Sequence, residues 1–234
     1  MSVARVEDLT IRVDTGRWSA TVVDAAQLNL AGDAVTALLG DSGSGKSMLA
    51  RALAGALPET ADASGILDVS SVAYVPQSGA DAFTSSHTVG EQLREIAERH
   101  GTDLQAACDR ALYPADRLDL YVEQHSGGEI DRAALAAGFL AAPELLIVDE
   151  PSSSVDDGLA EVMWSALGAY SREMVPGAAV LVITSDIGLM TRSGIVDRIV
   201  MLRDGHVIAD DSEVAVLCSA DPYISRFLGA YLGR

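Results

Sequence analysis

Gly40-Asp41-Ser42-Gly43-Ser44-Gly45-Lys46-Ser47 stands between the apolar run Val35-Thr36-Ala37-Leu38-Leu39 and a helix-like run from Met48 to Leu57. Strand, glycine-rich turn and helix in that order read as a phosphate-binding loop. Its backbone NH groups wrap a polyphosphate at a helix N-terminus, where the helix dipole favours negative charge. Lys46 is positioned in such a loop to reach the β- and γ-phosphates, and the Ser47 hydroxyl to hold Mg²⁺. Fifteen of the sixteen basic residues are arginine, and Lys46 is the only lysine. A compact ammonium is kept at the position where a point charge on phosphate is wanted.

The 234 residues, 49% of them hydrophobic, suffice for one sizeable α/β domain or one domain with an insert. A net charge of −18 argues against a nucleic-acid-binding surface, which needs clustered Lys and Arg to displace counterions. It reads as a solvated acidic surface. Cys108 and Cys218 lie far apart without metal-ligand spacing, so neither a disulfide framework nor a zinc site is expected, and a reducing cytoplasm fits. No apolar run approaches the roughly 20 residues that span a bilayer, and the N-terminus lacks a basic segment followed by an apolar one. Any membrane role is therefore expected to come through a partner.

Before the loop, Leu9, Ile11 and Val13 alternate with polar residues and Trp18 to Val23 forms a second short run, which predicts antiparallel strands. Trp18 either belongs to the core or stacks on an adenine ring ahead of the loop. After the loop helix, Gly55 and Pro58 are stop signals, and the Ala-, Asp- and Ser-rich stretch to Gly65 reads as a surface turn. Ile66 to Val69 and Val72 to Val75 predict two further strands, the second ending at Pro76-Gln77. From Ser78 to about Ala141 the pattern is helical, with Thr88-Val89-Gly90-Glu91 and Ser126-Gly127-Gly128-Glu129 both in capping-box form. The second of these reads either as an ordinary capped helix or as a glycine-opened N-terminus that a phosphate approaches.

Leu145-Leu146-Ile147-Val148-Asp149-Glu150 is a continuous apolar run ending in two carboxylates, the pattern of a buried parallel strand that delivers charge at its C-terminal edge. Asp149 is then suited to the Mg²⁺ shell and Glu150 to orienting or deprotonating a water. Ala178 to Thr184 predicts another buried strand. Val196 to Leu202 and His206 to Ala209 flank Asp204-Gly205, a hairpin signal.

With the phosphate loop, Gln77, Ser126-Gly127-Gly128, Asp149-Glu150 and Asp156 in that order, the chain resembles the ATP-binding subunits of ABC transporters over nearly its whole length. Within that family it is most similar to the ATPases of oligopeptide, dipeptide and nickel importers. That finer match rests on Gly40 to Met48, on His87-Thr88-Val89-Gly90-Glu91-Gln92 and on Asp221-Pro222-Tyr223. The chain stops about ten residues after the last of these, without the C-terminal extension many such proteins carry, and in length is closer to the nickel-type members.

The resemblance implies an α/β fold with a P-loop NTPase (RecA-like) core, an N-terminal antiparallel β subdomain and an α-helical insert. Residues 1–77 and 142–234 would form the nucleotide-binding core and 78–141 the helical signature subdomain. It implies the cofactors ATP and Mg²⁺. Trp18 would stack on adenine. Gly40, Asp41, Ser42, Gly43, Ser44, Gly45, Lys46, Ser47 and Met48 would bind the phosphates, and Ser47, Gln77 and Asp149 the metal. Glu150 would serve the attacking water, and Gln77 would sense both that water and the metal while linking to the helical insert. Ser126, Gly127, Gly128, Glu129 and Asp156, the last after the turn Ser152-Ser153-Ser154-Val155, would contact the nucleotide held by the opposite subunit of a head-to-tail dimer. The implied partners are two transmembrane permease subunits, a second ABC ATPase and, indirectly, an extracytoplasmic solute-binding protein, with the chain peripheral on the cytoplasmic face of the membrane.

Two departures bear on turnover. The family's switch histidine falls at Ser185, and its signature glutamine at Glu129. A serine offers no partly cationic imidazole to the γ-phosphate, so the water network loses a polarising member. Glu129 either meets a cation of a partner or turns back to cap its helix. These departures lead to the expectation of a heterodimer in which this chain's site is the slower one. The competing expectations are full activity at both sites, or an ATP-binding regulatory or non-transport soluble ABC ATPase with negligible turnover.

Overall fold

The computed structural model describes residues 1–151 and 154–232. Strands β1 (Ser2–Asp14), β2 (Ser19–Ala31) and β3 (Ala34–Leu39) lead into helix α1 (Lys46–Leu53), which is followed by β4 (Ala61–Val69) and β5 (Val72–Val75). A helical segment carries α2 (Val89–His100), α3 (Leu104–Arg110) and α4 (Gly127–Ala141). The chain then alternates β6 (Leu145–Asp149), α5 (Asp157–Ala169), β7 (Ala179–Ile183), α6 (Ile187–Ser193) and β8 (Arg198–Arg203). It closes with β9 (His206–Ser212), α7 (Glu213–Leu217) and α8 (Pro222–Leu232).

Two sheets result, a three-stranded antiparallel one in the order β2-β1-β4 and a six-stranded one in the order β5-β6-β7-β3-β8-β9. In the larger sheet only the β8–β9 pair, a hairpin closed by Asp204 and Gly205 with φ of 51° and 83°, is antiparallel. The central strands are buried along their whole length because both faces are covered. Alternate residues divide between two cores. Leu146, Val148, Val180, Val182, Ile199 and Met201 pack against α4, α5, α6 and α8, with Trp164 and Tyr170 fully buried among them. Leu145, Ile147, Leu181, Ile183, Val200 and Leu202 turn the other way onto α1 and the antiparallel sheet.

The structure corrects two local readings. The stretch before Gly65 is not a surface turn from end to end, since β4 begins at Ala61 and pairs with β1 as far as Ala61 opposite Val13. It is an edge strand exposed along most of its length, so it shows no apolar alternation. The loop helix is also shorter than Met48 to Leu57, ending at Leu53.

Candidate functional site

The turn after β3 is built on glycines in the left-handed region, Gly40 at φ 149°, Gly43 at 79° and Gly45 at 106°. Two of them are required by packing as well. A Cβ on Gly40 would drive into the Leu202 carbonyl, and one on Gly45 into the Val22 carbonyl, so the loop is clamped between β8 and β2. Gly45→Ala is therefore expected to cost about 2–4 kcal/mol of stability and to lower the melting temperature by several degrees. An unchanged melting temperature in a calorimetric scan would overturn this account of the loop.

Helix α1 starts at Lys46 with no side-chain cap. Its first-turn NH groups thus have no intrahelical acceptor and present donors to the loop's concave side. Lys46 Nζ donates to the Gly40 and Asp41 carbonyls at 2.7 and 2.9 Å, curling over the loop. Burial lowers the Lys46 ammonium from its ordinary value, against the opposing pull of Glu150, Asp149 and Asp41.

The carboxylates sit at the C-terminal end of β6, between β5 and β7. Asp149 is buried and accepts the Tyr74 hydroxyl at 2.9 Å. Burial, reinforced by Asp149, pushes the Tyr74 phenol up to about 12. Glu150 adopts φ 50°, donates its NH to the Ile183 carbonyl at 2.9 Å and accepts the Ser185 NH on Oε2 at 3.1 Å. Burial raises the Glu150 carboxyl above the usual range, and the bonds from Ser185 partly offset this.

A cavity of about 670 Å³ joins these groups, with Trp18, the phosphate loop, Gln77, Asp149, Glu150 and Ser185 in its wall. Trp18 is 57% exposed, which rules out the core reading, and it forms part of the cavity wall. A second cavity of about 910 Å³ shares Ser47, Gln77 and Asp149 and continues past Phe83 and His125 to Gly127. The remaining sequence-selected residues lie away from the loop. Ser126 caps α4 through the Glu129 NH, and Glu129 Oε2 reaches back to the Ser126 NH at 2.9 Å. Glu129 therefore caps its own helix, and the cation it meets is this chain's Arg117 at 3.2 Å. Asp156 caps α5 through the Leu159 NH at 3.0 Å. Ser126, Gly128, Glu129 and Asp156 do not line the loop cavity. In the serine turn before Asp156, Ser152 and Ser153 lie outside the described residues.

Sequence reasoning missed Tyr74 and Phe227. Tyr74 lies opposite Ile147 in the β5–β6 register, which puts it on the same face as Asp149, two residues after Ile147, and that register is set by strand pairing and not by a local pattern. Phe227 reaches the loop cavity from α8, and no local pattern points to that contact.

The ABC transporter family model matches residues 23–153, a span holding the phosphate loop, Gln77, Ser126 to Glu129, Asp149 and Glu150. The oligopeptide transport ATP-binding protein OppD of Mycobacterium tuberculosis is 30% identical over 232 residues, covering 87% of this chain and 37% of that protein. The chain thus spans little more than a third of that relative. The Fe(3+) ions import ATP-binding protein FbpC of Streptomyces avermitilis is 30% identical over 237 residues, covering 94% of this chain and 67% of that protein. Among solved structures, the dimeric post-hydrolysis state of the ATP-binding cassette MJ0796 bound to ADP and Pi aligns with a TM-score of 0.74 at 20% identity, covering 89% of this chain and 98% of that one. The fold around the loop is thus that of an ATP-binding cassette, and the chain belongs to the ABC transporter family, with oligopeptide transport ATP-binding proteins among its relatives.

Proposed function

We propose that this chain is the ATP-binding and hydrolysing subunit of an ABC importer, of the peptide, nickel or metal-chelate class. The observation that carries this reading is the convergence of the uncapped α1 N-terminus, Lys46, Asp149 and Glu150 on one cavity at the C-terminal edge of the parallel sheet. The donors fit Mg-ATP: amides and an ammonium suit the polyphosphate, while the Ser47 hydroxyl and the Asp149 carboxylate are the hard oxygen ligands Mg²⁺ prefers. When bound, Mg-ATP supplies the phosphoanhydride whose cleavage drives the cycle.

The chain's own residues divide the work. Lys46 and the first-turn amides of α1 hold the phosphates, Ser47, Asp149 and Gln77 serve the cation, and Trp18 covers the base. Glu150 Oε orients a water and takes up its proton. We assign residues 78–141 to the signature subdomain and the rest to the nucleotide-binding core. Ser126, Gly127, Gly128, Glu129 and Asp156 then serve a nucleotide on a second subunit, a role consistent with none of them lining the loop cavity. The 910 Å³ cleft between core and helical segment, lined by Gln77, would receive the permease. Among the described residues no helix is long and apolar enough to cross a membrane. In the proposed assembly two permease subunits hold the chain at the cytoplasmic face.

Ser185 supports a further division, in which a different ATPase pairs with this one and this site is the slower. Its NH holds Glu150, but its side chain offers no imidazole to developing phosphate charge. Ser185 is exposed in the cavity wall, so a larger side chain has room. Ser185→His is expected to raise single-turnover ATP cleavage at this site by about tenfold or more. An unchanged rate would remove Ser185 as the cause of slowness. The same substitution position favours one rival reading, a regulatory ABC protein that binds ATP with negligible turnover. Purifying the tagged chain from its native membrane separates the two: two permeases and a second ATPase in stoichiometric amounts support the importer, and a solitary ATP-binding protein sinks it.

A further inference from the structure

Asp41 of the phosphate loop and Tyr223 of the Asp221-Pro222-Tyr223 stretch are 182 residues apart in sequence and meet in the fold. The Tyr223 hydroxyl donates to Asp41 Oδ2 at 2.6 Å. The tyrosine is itself fixed on several sides. Asp221 Oδ1 accepts the NH groups of Tyr223 and Ile224 at 2.8 and 3.0 Å, which sets the start of α8. The Arg203 guanidinium lies 4.3 Å from the Tyr223 ring centroid, and the Phe227 ring stacks with it at 6.2 Å between centroids. Burial and the Asp41 carboxylate push the phenol up to about 12, so the hydroxyl remains a donor at neutral pH.

Asp41 stands between two spaces. On one side is the cavity that holds Lys46 and the carboxylates, and on the other a small cleft of about 240 Å³ bounded by Arg203, Tyr223 and Arg226. A carboxylate free to swing to the Lys46 side would set a negative charge beside a polyphosphate and compete for the ammonium. Tied to Tyr223, it is held on the outer side, where the two arginines lie.

We infer that Tyr223 is a positioning residue for nucleotide binding: its hydroxyl holds the Asp41 carboxylate away from the polyphosphate and so sets the affinity of the loop. This inference rests on the proposed binding of Mg-ATP at Gly40 to Ser47. It also gives α8 a direct line to the phosphate loop, since anything that shifts the helix start releases Asp41.

The test is a fluorescence titration of the full chain with a methylanthraniloyl ATP analogue and Mg²⁺, in wild type, Tyr223→Phe, Asp41→Asn and the double variant. Tyr223→Phe keeps the ring against Arg203 and Phe227 and removes only the donor. It is expected to weaken binding by about three- to tenfold at low salt, and by less at high salt where exposed charges are screened. Asp41→Asn removes the charge that Tyr223 is inferred to hold aside, so adding Tyr223→Phe to it should weaken binding no further than Asp41→Asn alone. Equal weakening by Tyr223→Phe in both backgrounds would show that the residue acts through α8 packing and overturn the inference. So would unchanged affinity in the single variant. A wild-type chain that fails to bind the analogue would overturn the phosphate-site reading itself, and this inference with it.

Discussion

Lys46→Ala lowers the affinity of the chain for Mg-ATP by about a hundredfold or more, a loss of roughly 3 kcal/mol. The size follows from what surrounds the ammonium. Lys46 faces the carboxylates of Asp41, Asp149 and Glu150, and no other lysine exists in the chain to take its place. Without it the cavity presents the Asp149 and Glu150 carboxylates to an anionic ligand, and the amides of α1 are left to oppose them alone. Lys46→Arg is expected to restore only a small part of the loss. The loop closes tightly over the Nζ atom at 2.7 and 2.9 Å from two carbonyls, and a planar guanidinium is too wide for that seat. Equilibrium titration with a fluorescent ATP analogue checks both variants, with the melting temperature measured alongside. Near-wild-type affinity in a folded Lys46→Ala chain would mean that the nucleotide, if it binds, binds elsewhere.

The strands and turns that hold this lysine were largely legible in sequence, for a physical reason that differs from element to element. Leu145 to Val148 carries no polar residue, and only a strand covered on both faces tolerates that, so its burial followed directly, with two carboxylates delivered at its end. The two capping boxes at Thr88 and Ser126 are local hydrogen-bonding patterns, and both formed as read. By contrast β4 was partly misread because an exposed edge strand is specified by its partner, here β1, and not by its own side chains. The same limit applies at the site. Trp18 gave no local sign of whether it was buried or exposed. The bonds Tyr74 to Asp149 and Tyr223 to Asp41 cross 75 and 182 residues, and each depends on a sheet register or a helix docking that single-sequence periodicity does not encode.

Glu150→Gln separates binding from cleavage. The amide is isosteric and still accepts the Ser185 NH through its oxygen, so the end of β6 and its link to β7 should hold, with nucleotide affinity changed by no more than about twofold. What the amide lacks is the capacity to take a proton from water. Single-turnover cleavage at this chain's site is therefore expected to fall by about a hundredfold or more. The strained backbone at φ 50° argues that the carboxylate is held for use, since a glutamate in the left-handed region is costly and the neighbouring sheet over-determines it. In the proposed heterodimeric transporter, steady-state turnover then tests the proposed division of labour. If the Ser185 site is the slow one, Glu150→Gln barely changes the steady-state rate, whereas the equivalent change in the partner ATPase abolishes it. Abolition by Glu150→Gln alone would end the slow-site proposal and make both sites necessary, with water or another side chain standing in for the absent imidazole. An intact single-turnover rate in the same variant would remove Glu150 as the base.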